Sequence, residues 1–369
     1  MAIHIILFLT TVALLFYSQN KNLHPKYFLF LSFLGMTLVL GLRGSTVGED
    51  TAMFLRVAEA SVNIPWLQML SEFPQSVWSH TPWIPGLTGW DNRIETFYLV
   101  YNKIIMLIFR DAQWVLITSA LITSVLVAKF IKENVKERKD IYFATFVYLT
   151  GSIYMTSFNL MRQMLAMSIA LQAVKHIRDG KIMKPVFYII LATLLHQSAI
   201  LCLVFIPLYR LKNKKKWLKY VVISAIFIAT SLQVLANVIG TIWPRYRLYL
   251  TISYWETTFG WGMFLFWILI LLACIYMCWK GIESEDDYVL IYMMILYLAV
   301  EAVGLRYTIL ARVAIYFRVF LVLFYPISFM YFKGNTRTIY KLVVIAMMTG
   351  LYFLYASSPA RAFVPFWHN

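Results

Sequence analysis

The sequence predicts an all-α polytopic membrane protein: about ten spanning helices, a re-entrant helix pair, and a large outer loop carrying an interfacial helix. Three observations predict it. Of 369 residues, 61% are apolar and only 14% are charged, against about 25% charged in an ordinary soluble domain. The apolar residues gather in runs of spanning length, with a mean hydropathy of +0.71. The cations lie mostly in short tracts between those runs, as in the cytoplasmic loops of membrane proteins. This composition excludes a soluble enzyme, a disordered chain and a secreted disulfide scaffold. The net charge of +16 does not read as a nucleic-acid patch, so the expected partner is the lipid bilayer and no nucleic acid. Cys202, Cys274 and Cys278 all sit inside apolar runs. They read as packed thiols, with neither a disulfide nor a metal site expected.

A spanning helix needs roughly 17–25 mainly apolar residues. Such runs fall at 1–18, 26–42, 112–131, 141–158, 160–178, 218–240, 261–280, 287–304, 311–332 and 340–357. The first has no basic leader and no small-residue cleavage site, so it reads as a retained helix. The basic loops Lys132 to Lys139, Arg178 to Lys184 and Arg210 to Lys219 should all be cytoplasmic. The stretch 185–209 between the last two must then return to its own side. Two half-helices meeting near His196-Gln197-Ser198 would do this, as would two thin spans. The stretch 94–109 contains Glu95, Asn102 and Lys103, which suit a helix lying on the surface. Residues 43–111 therefore form one outer loop within a single membrane domain, 1–369, and both termini lie outside.

On this map twelve of the 33 cations face outward, and eleven of the twelve are arginine; of the other 21, 17 are lysine. Arginine grips phosphate and carboxylate with paired N–H donors, whereas lysine is a hydrated point charge. The outer face thus looks built to hold a polyanion or diphosphate, or else a set of structural ion pairs. No Walker loop, HExxH or GxSxG is present, so ATP-driven transport and two common hydrolase readings fall away.

Five polar constellations interrupt the apolar pattern. The first is Arg43-Gly44-Ser45-Thr46-Val47-Gly48-Glu49-Asp50-Thr51. Asp50 is either the N-cap of the following helix or a carboxylate able to take a proton from a sugar hydroxyl; Glu49 stands second for that role. The next is Phe158 to Ala166, with Arg162 and Gln163. A cation at a helix N-terminus inside a span is costly, so Arg162 should have a partner, either an outer carboxylate or a bound anion. The third is His196, a satisfied core residue or a ligand at the apex of the re-entrant pair. Glu301, Arg306, Arg312, Tyr316 and Arg318 make the fourth; Glu301 is the obvious structural partner for one of these arginines. Arg245 and Arg247 lie in the fifth, an aromatic loop from Trp243 to Trp261. It is an interfacial belt or a surface for stacking on sugars.

The order Arg43…Gly48-x-Asp50, Glu95 near Tyr98…Asn102, Asn159-x-x-Arg162-Gln163-x-x-Ala166, His196-x-Ser198-Ala199 and Arg312-x-x-x-Tyr316-Phe317 resembles the EpsG family. These are Wzy-like bacterial membrane proteins of exopolysaccharide, capsule or O-antigen synthesis. The large first outer loop also looks like the GT-C glycosyltransferase architecture. The resemblance implies a polymerase joining oligosaccharide repeat units carried on polyprenyl diphosphate, at the outer face of the bacterial cytoplasmic membrane. A chain-length regulator is a further partner it implies. In that frame Arg162, Arg312 and Arg318 would face the diphosphate, Arg43 and His196 would support them, and Asp50 would be the base. Gln163, Arg306, Tyr316, Arg245 and Arg247 complete the candidate substrate-binding set. Neither a metal nor another cofactor is demanded. Two other classes compete: a flippase or transporter of the same lipid-linked saccharide, which should show paired repeats of spans, and a membrane acyltransferase using His196 as base.

Overall fold

A computed structural model describes residues 1–21, 23–71, 94–231, 234, 237–238, 240–241, 261–282, 284–305 and 311–368. Among the described residues there is no strand, only one isolated antiparallel bridge between Arg43 and Pro365. The chain packs as two units, Met1–Cys202 with Tyr352–Asn369, and Leu203–Leu351.

The first unit opens with α1 (Ala2–Asn20) and α2 (Pro25–Gly41). Pro25 has the φ that a first helical residue needs, and the His24 ring accepts the Lys26 N–H at 3.2 Å. There follow α3 (Thr51–Ser61), α4 (Trp66–Ser71), α5 (Thr96–Phe109) and α6 (Gln113–Asn134). The remainder is α7 (Arg138–Thr150), the short α8 (Ile153–Thr156), α9 (Met161–Ala170), α10 (Gln172–Arg178) and α11 (Met183–Leu195). The second unit holds α12 (Phe205–Arg210), α13 (Lys214–Thr230), α14 (Trp261–Lys280), α15 (Glu285–Gly304), α16 (Ile315–Arg318), α17 (Leu321–Tyr331) and most of α18 (Gly334–Ala356).

Helices α1, α6, α14, α15 and α18 are each long and apolar enough to cross a bilayer, and the pair Arg312–Arg318 and Leu321–Tyr331, bent by 46°, makes a sixth if it is one span. The protein is a multi-pass membrane protein. Its exposed side chains agree: Leu9, Phe16, Phe30, Leu121, Val125, Leu272 and Ile275 face outward, which suits lipid and not water. Helix α15 is the innermost of the five, with 78% of its apolar window buried against 22% for α1. Other expected spans are shorter or broken. The run 141–158 ends its helix at Thr150 because Gly151 and Ser152 turn there, Ser152 at φ +60°. The run 160–178 divides at Leu171, and 185–209 breaks at His196 before a 3₁₀ stretch, Gln197–Val204. Cys202 and Cys274 are buried as expected, while Cys278 is exposed on α14, because the face it shares with Ile275 and Leu272 is uncovered by protein.

Helix α5 is polar inside and apolar outside. Tyr98, Asn102 and Lys103 are buried, whereas Ile104, Leu107 and Ile108 are exposed. Lys103 donates to the carbonyls of Val62, at 3.1 Å, and Ile64, and lies 4.9 Å over the Trp66 ring. It satisfies carbonyls left open just past the end of α3, where a cation also meets the negative end of the helix dipole.

The loop between α2 and α3 is strapped down by the C-terminal tail. Gly44 N–H donates to Val364 O (2.7 Å), Gly48 N–H to Ala360 O (2.6 Å) and Phe366 N–H to Leu42 O (3.0 Å). The strap is itself anchored on α1, through His4 Nε2 and Arg361 O at 2.9 Å. Gly48 has φ +91°, and a Cβ there would overlap the Phe158 carbonyl oxygen. Both the conformation and the close approach require glycine.

In the second unit Arg318 Nη2 donates to Glu301 Oε1, and its guanidinium stands 5.5 Å from the Tyr297 ring centroid. The two side chains are 10% and 8% exposed. Deep in an apolar unit each charge depends on the other.

Two outcomes follow. Gly48→Ala should lower stability by about 1–3 kcal/mol, the cost of a strained backbone position, read as a lower melting temperature in detergent. Arg318→Ala should cost about 3–5 kcal/mol by leaving Glu301 unpaired, and the double change Arg318→Met with Glu301→Met should recover most of that loss. A double variant as unstable as the single one would show that the pair is not what the single change breaks.

Candidate functional site

The first three constellations come together in the first unit. Glu95 stands at the N-cap position of α5 but makes no side-chain bond to that helix. Its carboxylate turns to other segments instead. Oε2 accepts from Arg162 Nη1 at 2.5 Å. Oε1 accepts the Gln197 N–H at 3.2 Å and lies 3.3 Å from His196 Nδ1. A negative charge beside a helix N-terminus is favoured by the dipole, while Arg162, the second residue of α9, is disfavoured by its own. The pairing relieves the second problem with the solution to the first. His196 sits just past the end of α11 in extended conformation, where a cation is welcome. Gln197 opens the 3₁₀ stretch, so its N–H is an orphan donor that Glu95 satisfies. The Arg162 guanidinium also lies 5.8 Å from the Tyr98 ring centroid, within cation–π range.

Arg43 is fully buried. Its Nη1 donates to Leu40 O at 2.5 Å, its Nε to Thr51 Oγ1 at 3.2 Å, and its Nη2 contacts Met161 Sδ at 3.7 Å. The guanidinium is 5.6 Å from the Phe158 ring centroid. Burial lowers its pKa to about 10, so it stays charged at neutral pH. Its charge rests on the last-turn carbonyl of α2, at the negative end of that helix. Arg43 is thus a wedge between the loop 43–51 and the start of α9, next to Arg162. A cavity of about 10 Å³ beside it is lined also by Ser119, Thr123 and Ser157, room for about one water.

Glu49 is exposed and Asp50 half-buried. Asp50 occupies the N-cap position of α3 as expected, yet its side chain does not cap that helix. The Glu49 N–H donates to Asn159 Oδ1 at 3.3 Å, which joins the acidic loop to the segment that leads into Arg162. Gln163 is buried in α9. Arg312 is half-exposed at the head of a 3₁₀ turn, Tyr316 fully buried, and Arg318 paired with Glu301; these belong to the second unit. Arg245, Arg247 and Arg306 lie outside the described residues. Among the described residues no group of three or more His, Cys, Asp or Glu could hold a metal ion.

Glu95 is the residue that site reasoning from the sequence passed over. Its signal in the sequence is a carboxylate in an otherwise apolar stretch, within the motif series that carries the resemblance. Arg162's partner is thus an acid, one of the two alternatives, and the acid is 4% exposed while Arg162 is 15% exposed.

Three motifs that are widely spaced in sequence are therefore neighbours, in the order in which they carry the resemblance. No curated protein and no solved structure matches the chain. The family model described as "EpsG family" matches residues 26–367, nearly the whole sequence. The chain belongs to the EpsG family, a family of Wzy-like polymerases.

Proposed function

We propose that this protein is a polysaccharide polymerase that joins oligosaccharide repeat units carried on polyprenyl diphosphate. The reaction would take place at the outer face of the bacterial cytoplasmic membrane, for exopolysaccharide, capsule or O-antigen. Family membership supports the reaction class. The observation that carries the reading furthest is the meeting of Arg162, His196 and Glu95 next to the acidic loop 49–50. A glycosyl transfer from a lipid diphosphate needs donors where charge develops on the leaving group, and a base for the acceptor hydroxyl. Arg162 and His196 are basic groups of the first kind, with Arg43 behind them. Arg312 and Arg318 remain candidates on the sequence pattern alone. Asp50 is the proposed base, with Glu49 second.

The bonds balance simply. The acceptor hydroxyl gives its proton to Asp50 and its oxygen bonds to the anomeric carbon of the donor. The bond from that carbon to the diphosphate oxygen breaks, and its electron pair leaves with polyprenyl diphosphate. The donor already carries its leaving group, so no nucleotide is consumed. The outward orientation, the re-entrant character of 185–209 and a chain-length regulator as partner belong to the same proposal. A flippase reading accounts for basic residues in an apolar chain, but it supplies no role for an acidic loop bonded to the segment that leads into Arg162.

Purified protein reconstituted with a lipid diphosphate oligosaccharide should lengthen chains without added nucleotide, scored as a ladder on a gel. Arg162→Ala should lower that rate by about 10²–10³-fold, the usual cost of a lost charge-stabilising donor, while the protein remains in the membrane. Normal-length polymer from that variant would refute the role. Failure of the wild-type protein to extend any chain, with donor and acceptor both present, would refute the function.

A further inference from the structure

We propose that Glu95 is a positioning residue, whose carboxylate holds Arg162 and His196 side by side so that both address the diphosphate of the lipid-linked donor. The inference rests on the polymerase reading above and adds a residue to it. Its geometric basis is the division of labour between the two carboxylate oxygens. Oε2 holds Arg162 from α9, and Oε1 holds the chain at the break after α11 through the Gln197 N–H, with His196 Nδ1 at 3.3 Å. One group thus holds the side chain of Arg162 and the backbone of the histidine segment, with the His196 ring beside it.

Depth gives the arrangement a direction. The Glu95 side chain is 4% exposed and those of Arg162 and His196 are 15% each, so the acid is more enclosed than the two basic groups around it. A pair that only docks helices has no reason for such a gradient. Glu301 and Arg318, at 8% and 10%, lack it. The His196 ring faces the carboxylate through Nδ1 at 3.3 Å, so Nε2 is the ring nitrogen turned away from Glu95. Against this single carboxylate stand a guanidinium and an imidazole, and the pair of donors matches the two phosphates of a diphosphate in number and sign.

Three variants test this. Glu95→Gln keeps the side-chain volume and an acceptor for the Gln197 N–H but removes the charge that orients Arg162. It should raise donor KM by about tenfold or more, the equivalent of one charge-assisted hydrogen bond, with acceptor KM little changed. Glu95→Asp, which keeps the charge at shorter reach, should recover part of the loss. The exchange of the two charges, Glu95→Arg with Arg162→Glu, restores an ion pair between the same helices. It should restore protein yield relative to the single changes, but not polymer. Full polymer from the exchange, or an unchanged donor KM in Glu95→Gln, overturns the positioning role and leaves the polymerase reading intact. Wild-type protein that extends no chain overturns the polymerase reading instead. In that case polyprenyl diphosphate alone serves as the probe, read by its shift of the melting temperature. A shift in wild type that Glu95→Gln loses supports the positioning role, and the same shift in both overturns it.

Discussion

A single carboxylate at the head of an apolar helix organises the first unit. Removing an acid from water costs several kcal/mol, and at Glu95 that cost is offset by three donors, or groups able to donate, from two other segments. Each of those groups has its own reason to seek an anion. Arg162 stands at the wrong end of a helix dipole, Gln197 offers an N–H with no partner in its own turn, and His196 ends a helix inside an apolar run. The constraint is mutual. Without Glu95 the charge on Arg162 loses this counter-ion, and the chain break at His196 loses the bond to the Gln197 N–H.

Around this cluster the packing repeats one theme, polar groups turned inward at chain breaks and apolar groups turned out. Helix α5 shows it most plainly, with Tyr98, Asn102 and Lys103 covered and Leu107 and Ile108 bare. In water such a helix would be inverted. Next to hydrocarbon the order is favourable, because unsatisfied polar groups are costly there and exposed leucines are not. Arg43 follows the same logic. It sits at the carbonyl end of α2, against a thioether and a phenyl ring.

Much of this is visible in the sequence, for identifiable reasons. The long apolar runs that became α1, α6, α14, α15 and α18 are composition written at the length of a bilayer, and they survive as helices. The runs at 141–158 and 160–178 are less apolar, the second carrying Arg162, Gln163, Gln172 and Lys175, and hydropathy is blind to where a backbone turns. Ser152, in the left-handed region, ends the first of these helices, while the interruption at Leu171 leaves the backbone right-handed. The same holds for the site. Arg162, His196 and Asp50 stand out because charge in an apolar context is rare, and Glu301 as the partner of an arginine follows from proximity along the chain. Glu95 and Arg162 are far apart in sequence, and nothing local to either names the other. Family resemblance placed both in one series of motifs; only the fold made them neighbours.

The tail that straps the loop 42–48 through Val364, Ala360 and Phe366 has a bearing on how the molecule is assembled. The loop leaves the ribosome early and its clamp leaves late, with nearly every apolar helix inserted in between. During that interval the acidic corner at Glu49 and Asp50 lacks one of its walls. The strap therefore closes only in a late step of biogenesis.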